Sequence, residues 1–346
     1  MKKSLVVLLI PTILLCGCSK TSKKHFKLWN ECESLTSLCE YMKDVTNKRS
    51  SHYIPVEDRI ATFDMDGTFL GELYPTYFEY NILEYRVFDD PTYKDIAPLE
   101  VKEVAQIIRD HSREGTDFPS DMDMRHAHAA AKAYEGMSIK DFDEYVKEYA
   151  KKTPFGFEGM TYATSFYKPM LEVFSYLEKN DFTYYVVSGS DRFICRALVD
   201  SLGIAPNRVI GMDVELKSEN QGDEDGVKYT MEKDEELIRT DKLLIKNLKT
   251  NKVKQIEQEI GKTPVLSFGN SSGDCAMHNF CLGNEKYRSE AYMLVADDDV
   301  RDHASLEEAA KREALWKEAN YHIISMKNDF KTIYGDGVQK TDFHFE

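Results

Sequence analysis

Arg59-Ile60-Ala61-Thr62-Phe63-Asp64-Met65-Asp66-Gly67-Thr68 is the stretch from which the fold can be read. A short apolar, β-favouring run stops abruptly at two carboxylates, followed by a glycine and a threonine. Such a run reads as a buried strand whose carboxyl end sets Asp64 and Asp66 at the edge of a sheet. In open α/β sheets, ligands bind just outside the carboxyl ends of the strands. Two acids held together there repel each other unless a cation or a proton lies between them. The stretch therefore predicts two carboxylates that share a divalent metal and act on a phosphate.

Working outward, the segment after residue 166 alternates helix and strand patterns. Helices are predicted over 169–179, 191–202, 252–260 and 306–319, and strands over 182–187, 208–216, 264–268, 292–296 and 321–325. Residues 219–226 form an acidic turn, with 229–231 as a possible returning arm of a hairpin. Between Asp66 and this region lies a stretch rich in Tyr, Phe and acids. It reads as helical at 82–87, 99–111, 127–134 and 139–150, with Ser138 as an N-cap. The expected architecture is α/β: a Rossmann-like, mostly parallel sheet with helices on both faces and an inserted helical cap. Residues 56–71 and 166–346 would form the core, and 72–165 the cap.

Four separated pieces fall at predicted strand ends or helix starts: Asp64-x-Asp66-Gly67-Thr68, Ser188-Gly189-Ser190, Lys252, and Gly269-Asn270-Ser271-Ser272-Gly273-Asp274. In this order and spacing they resemble the motifs of the haloacid dehalogenase (HAD) superfamily, nearest its phosphoserine-phosphatase-like branch. The resemblance runs from about residue 60 to residue 296. It implies that Asp64 is a nucleophile that becomes an aspartyl-phosphate, and that Asp66 is the general acid and base. It implies Mg²⁺ held by Asp64, the Asp66 carbonyl, Asn270 and Asp274. Thr68, Ser188 and Gly189 would bind the phosphoryl oxygens, and Lys252 would stabilise charge on nucleophile and phosphate; Lys254 competes for that role. Glu72 and Arg196 are candidate substrate contacts. Asn270 departs from the family pattern, standing where an aspartate is usual and bringing no charge. Tyr74, Tyr77, Phe78, Tyr80 and Tyr85 could box a quaternary ammonium group, although cap core is their commoner role.

The implied activity is hydrolysis of a small phosphomonoester, phosphoserine-like or phosphocholine-like. A non-catalytic binding scaffold and a phosphotransferase are the alternatives. The 346 residues carry a formal charge of −15, which argues against a nucleic-acid partner.

The amino terminus reads as an address. Lys2 and Lys3 precede an apolar run over 4–15 that ends in Leu15-Cys16-Gly17-Cys18. This resembles the lipobox of bacterial lipoproteins, with Cys16 where Ala, Ser or Thr is usual. The expectation is a signal peptide over 1–17, lipid on Cys18, a tether and helix over 18–55, and export to the cell envelope. Five other cysteines remain, an odd number, and they give no zinc spacing.

Overall fold

The computed structural model describes residues 24–345, so the expected signal segment and Cys18 lie outside the described residues. Nine strands occur among those residues: β1 (Ile60–Phe63), β2 (Phe157–Glu158), β3 (Thr183–Asp191), β4 (Val209–Ser218), β5 (Leu237–Ile245), β6 (Leu266–Gly269), β7 (Glu290–Val295), β8 (His322–Ser325) and β9 (Gln339–Lys340). Seven form one sheet in the order β5-β4-β3-β1-β6-β7-β8. All neighbours run parallel except β5, which returns antiparallel along β4. β1 is central and wholly buried, which is why its sequence is an unbroken run and not an alternating one.

Side-chain alternation shows both faces covered. On β7, Tyr292 and Leu294 join the main core, whereas Ala291, Met293 and Val295 pack with Ala309 and Trp316 of the helix Leu306–Glu318. On the first face Phe63 stacks on Phe268 at 4.3 Å and meets Phe174 of the helix Lys168–Glu178 edge-on at 4.7 Å. Val187 and Ile210 face the other way, onto Ile256 and Met277 of the helices Thr250–Glu259 and Cys275–Leu282.

Two expectations are corrected. The arm that returns along β4 is β5, not residues 229–231, which lie in a polar excursion between β4 and β5. Arg239, Asp241 and Lys242 disguise β5 as a surface stretch. The helical apolar period that runs from His25 to Val45 yields a helix over Glu33–Val45, preceded by a β-bridge between Trp29 and Phe330.

Between β1 and β3 lie the helices Phe78–Phe88, Leu99–Glu114, Met122–Ala133 and Ile139–Tyr149. Ser138 caps the last, its hydroxyl accepting the Asp141 N–H at 3.1 Å. These helices share one continuous apolar core with the sheet. Arg239 of β5 also exchanges main-chain hydrogen bonds with Gly136 and Met137, each 2.9 Å.

Below Gly71, Asp302 is fully buried and accepts the Tyr334 hydroxyl at 2.8 Å. Burial pushes its carboxyl up to about 7. An acid whose native pKa lies above its unfolded value keeps its proton longer in the native state. Its stabilising contribution is therefore present in acid and lost as pH rises from about 4 to about 7. Asp302→Asn is expected to flatten this dependence, removing up to about 4 kcal/mol of pH-linked change. Urea unfolding at both ends of that window checks it; equal slopes in the two proteins would refute the assignment.

Candidate active site

The carboxyl ends of β1, β3 and β6 open onto one cleft of about 460 Å³. It lies where the chain, having built β3 and β4 on one side of β1, continues with β6 and β7 on the other. This reversal leaves a crevice at the strand ends.

Asp64 follows β1, its N–H bonded to the Phe268 carbonyl of β6 at 2.9 Å. One of its oxygens receives the Lys252 ammonium at 2.5 Å, and the other lies 3.4 Å from the Thr68 hydroxyl. Lys252 also reaches Asp274, at 2.6 Å, and is almost wholly buried. Lys254, the other candidate, is on the outer side of the same helix, against Asn251 at 3.5 Å. Burial opposes the Lys252 charge, but Asp274 and Asp64 outweigh it and hold the ammonium firmly protonated.

Asp66 accepts the Ser190 hydroxyl at 2.8 Å and the Ser188 hydroxyl at 3.4 Å through one oxygen, while its other oxygen is buried without a partner. Burial pushes Asp66 up to about 7, Ser190 resisting and Glu79 and Glu72 adding to the rise. Glu72 is likewise raised to about 7, by burial, and accepts the Asn270 amide at 3.0 Å. Asp64 is raised by burial and by Asp274. Gly67 makes this crowding feasible. Its φ is +72°, and a β-carbon there would come within 1.9 Å of the Asn270 amide and 2.5 Å of the Glu72 carboxyl.

The structure thus brings together Asp64, Asp66, Thr68, Glu72, Ser188, Gly189, Lys252, Asn270 and Asp274, but departs from expectation at three points. Arg196 donates to the Pro206 carbonyl at 3.0 Å and does not line the cleft, so it is no substrate contact there. Asp274, expected as a metal carboxylate, spends one oxygen on Lys252 and the other on the Asn270 and Ser271 N–H groups and the Ser271 hydroxyl. Burial works to raise it, yet Lys252 keeps it below the usual range, which suits an anchor for the lysine. Of the five aromatic residues considered for a box, only Tyr77 and Tyr80 line the cleft. Tyr74 and Phe78 are core.

Three cleft residues were not expected as site residues. Ser190 is the nearer hydroxyl to Asp66, and strand alternation places it on the same face as Ser188. Glu79 and Lys246 pair at 2.9 Å, both buried, and Glu79 also accepts the Asp191 N–H at 3.2 Å. Burial tends to raise Glu79, but Lys246 and His126 hold it below the usual carboxylate range. Nothing local in the sequence joins positions 79 and 246.

A divalent cation fits this site. Asp64, Asp66 and Glu72 face Lys252 as the only cation in direct contact with any of them among the described residues. The Asp64 and Asn270 side-chain oxygens both flank the Thr68 hydroxyl at 3.4 Å, a distance that leaves them weakly engaged. Among the described residues no group of three His, Cys, Asp or Glu side chains could hold a metal. The donors would instead be the Asp64 carboxylate, the Asn270 amide oxygen and the Asp66 main-chain carbonyl, a hard oxygen set suited to Mg²⁺.

No protein-family model matches the sequence, and no curated protein matches it. Solved structures do. A conserved functionally unknown protein from Anaerococcus prevotii is 16% identical, with a TM-score of 0.53, over 93% of this chain and 99% of that one. Cytosolic 5′-nucleotidase IIIB bound to cytidine is 10% identical, with a TM-score of 0.50, over 92% of this chain and 93% of that one. A phosphoserine phosphohydrolase-like protein from Francisella tularensis is 14% identical, with a TM-score of 0.40, over 77% of this chain and 94% of that one. The fold is α/β and Rossmann-like, the architecture shared with the first two of these structures. The four motifs converge at the crevice at the ends of β1, β3 and β6, the place where open α/β sheets bind ligands.

Proposed function

We propose that the protein is a HAD-superfamily phosphomonoesterase that uses Mg²⁺ and forms a phosphoenzyme on Asp64. The observation that carries this reading is the contact of the Asp64 carboxylate with Lys252, itself anchored by Asp274, at the end of the central strand. A carboxylate held this way presents one oxygen to Lys252 and keeps the other for phosphorus. Asp66, pushed up to about 7, can hold a proton for the leaving alkoxide and later take one from the attacking water. Ser190 and Ser188 orient it for both transfers. Asp64, Asn270 and the Asp66 carbonyl would hold Mg²⁺, whose chemistry here is to offset the repulsion between carboxylate and phosphate. Lys252 lies where charge shared by nucleophile and phosphoryl group would develop.

The substrate would be a small phosphomonoester that fits the cleft. A 5′-nucleotidase of the same fold agrees with this reading without carrying it. We also propose export and lipid anchoring through Cys18, supported by the apolar run over 4–15 and Leu15-Cys16-Gly17-Cys18.

Hydrolysis of p-nitrophenyl phosphate with and without Mg²⁺ tests the reading. Activity lost on chelation and restored by Mg²⁺ is expected, together with a phosphate-mass adduct on the Asp64 peptide after acid quench. A protein inert with every phosphomonoester tried would refute it. Gly67→Ala supplies an independent check, since the new methyl must displace Asn270 and Glu72. A shift on that scale should cut kcat by about 100-fold or more. Steady-state rates decide; a variant as active as the parent would mean those two side chains are not placed for catalysis.

A further inference from the structure

We propose that Lys249 is a specificity-determining residue whose ammonium selects substrates with a second anionic group on the part that leaves. The inference rests on the phosphatase reading for its chemistry but on separate observations for its residues.

Lys249 has φ +53° and ψ −126°, a backbone state that suits glycine and strains a residue with a β-carbon. It is the N-cap of the helix Thr250–Glu259 and makes no side-chain capping bond. Ser, Thr, Asp or Asn is preferred at such a position, and a cation there opposes the positive end of the helix dipole. Two further lysines, Lys246 and Lys252, lie three residues to either side. The backbone conformation itself has an evident purpose. The Lys249 N–H donates to the Gly273 carbonyl at 2.9 Å, and its carbonyl accepts the Lys252 N–H at 3.0 Å. This joins the loop after β6 to the turn that carries Lys252. Glycine would provide that link with less strain, so the lysine side chain needs a reason of its own.

Its position supplies one. Lys249 lines the reacting cleft and also a second hollow of about 540 Å³, which adjoins the cleft along Asp123, Lys246, Leu248 and Lys249. Among the described residues Lys249 forms no ion pair, unlike Lys246, which is engaged by Glu79 at 2.9 Å. Lys254 lines the same hollow and, among the described residues, meets only the Asn251 amide oxygen, at 3.5 Å. Two acids also face the hollow. Asp121 is held by Arg125 at 2.8 Å, and Asp123 accepts the Tyr80 hydroxyl at 3.4 Å. Two ammonium groups without an ion pair among the described residues therefore line the hollow that adjoins the cleft. An ester with its phosphoryl group at Asp64 and its leaving part in this hollow would bring a carboxylate or second phosphate to Lys249.

The test compares 6-phosphogluconate with sorbitol 6-phosphate, open-chain esters of equal length that differ by a carboxylate at the far end. With the full chain and Mg²⁺, kcat/KM should favour 6-phosphogluconate by about tenfold or more, the scale of one charge-assisted contact. Lys249→Gly should erase most of that ratio without lowering the melting temperature, and Lys254→Gln should reduce it less. A parent enzyme without the preference, or a ratio unchanged in Lys249→Gly, overturns the inference while leaving phosphatase activity intact. If no ester is hydrolysed, p-nitrophenyl phosphate included, the phosphatase reading is what fails. Thermal shifts then decide the groove: a larger shift with 6-phosphogluconate, lost in Lys249→Gly, upholds it, and equal shifts refute it.

Discussion

Asp64→Asn is expected to lower kcat for phosphomonoesters by on the order of 10⁴-fold or more, while the protein stays folded and melts no lower than the parent. The two halves of this expectation have different causes. Asparagine is close in shape, but its amide is a poor nucleophile toward phosphorus, so the covalent step has no substitute. Stability should move the other way. Asp64 is held in a buried site that raises its pKa, through burial first and the Asp274 charge next. Replacing it with a neutral amide removes repulsion among Asp64, Asp66 and Asp274. Lys252 loses one partner but keeps Asp274 at 2.6 Å, so no buried cation is stranded. Rates with p-nitrophenyl phosphate and a thermal melt, measured on the same preparation, settle both halves. Residual turnover above about one per cent would point to another nucleophile. A large fall in melting temperature would instead make Asp64 a structural acid.

The central strand and the alternation of strands and helices in the core were legible because they depend on local patterns. A short apolar, β-favouring run ending at Asp64 fits a strand buried on both faces, and alternating strand and helix periods fit a parallel sheet. The helices of the insertion were legible for the same reason, down to the Ser138 cap. What could not be read depends on contacts between distant residues. β5 carries Arg239, Asp241 and Lys242, and only its partner Asp191 explains how Arg239 can be buried within a strand. The resemblance makes Asp274 a metal carboxylate, and only the fold shows its oxygens committed to Lys252 and the loop backbone. Arg196 follows the second motif closely in sequence, and only the fold shows its guanidinium turned to the Pro206 carbonyl. Glu79 and Lys246 are far apart in the chain and leave no joint signal.

Arg239→Met should destabilise the protein by about 3–5 kcal/mol, the largest loss expected from a single side chain outside the cleft. Arg239 and Asp191 are 0% and 2% exposed at their side chains and meet at 2.6 Å, with a second contact at 3.3 Å. Removing the guanidinium leaves the Asp191 carboxylate buried without its countercharge, and that stranded charge accounts for most of the loss. A smaller share comes from the ring of Phe142 in the insertion, over which Arg239 lies at 4.0 Å. Asp191 cannot simply turn to water, because its side chain caps the helix Arg192–Val199 through the Phe193 N–H at 2.9 Å. Asp191→Asn keeps a capping oxygen and removes the charge, so the double variant should recover more than half of the loss. Urea unfolding of the two single variants and the double variant measures this coupling; additive penalties would mean the pair contributes no specific interaction. Because Ser190 precedes Asp191 and holds Asp66, Arg239→Met should also lower the rate at temperatures where it remains folded. The same buried pair would then both link β3 to β5, whose Arg239 holds Gly136, Met137 and Phe142 of the insertion, and steady the segment that holds Asp66.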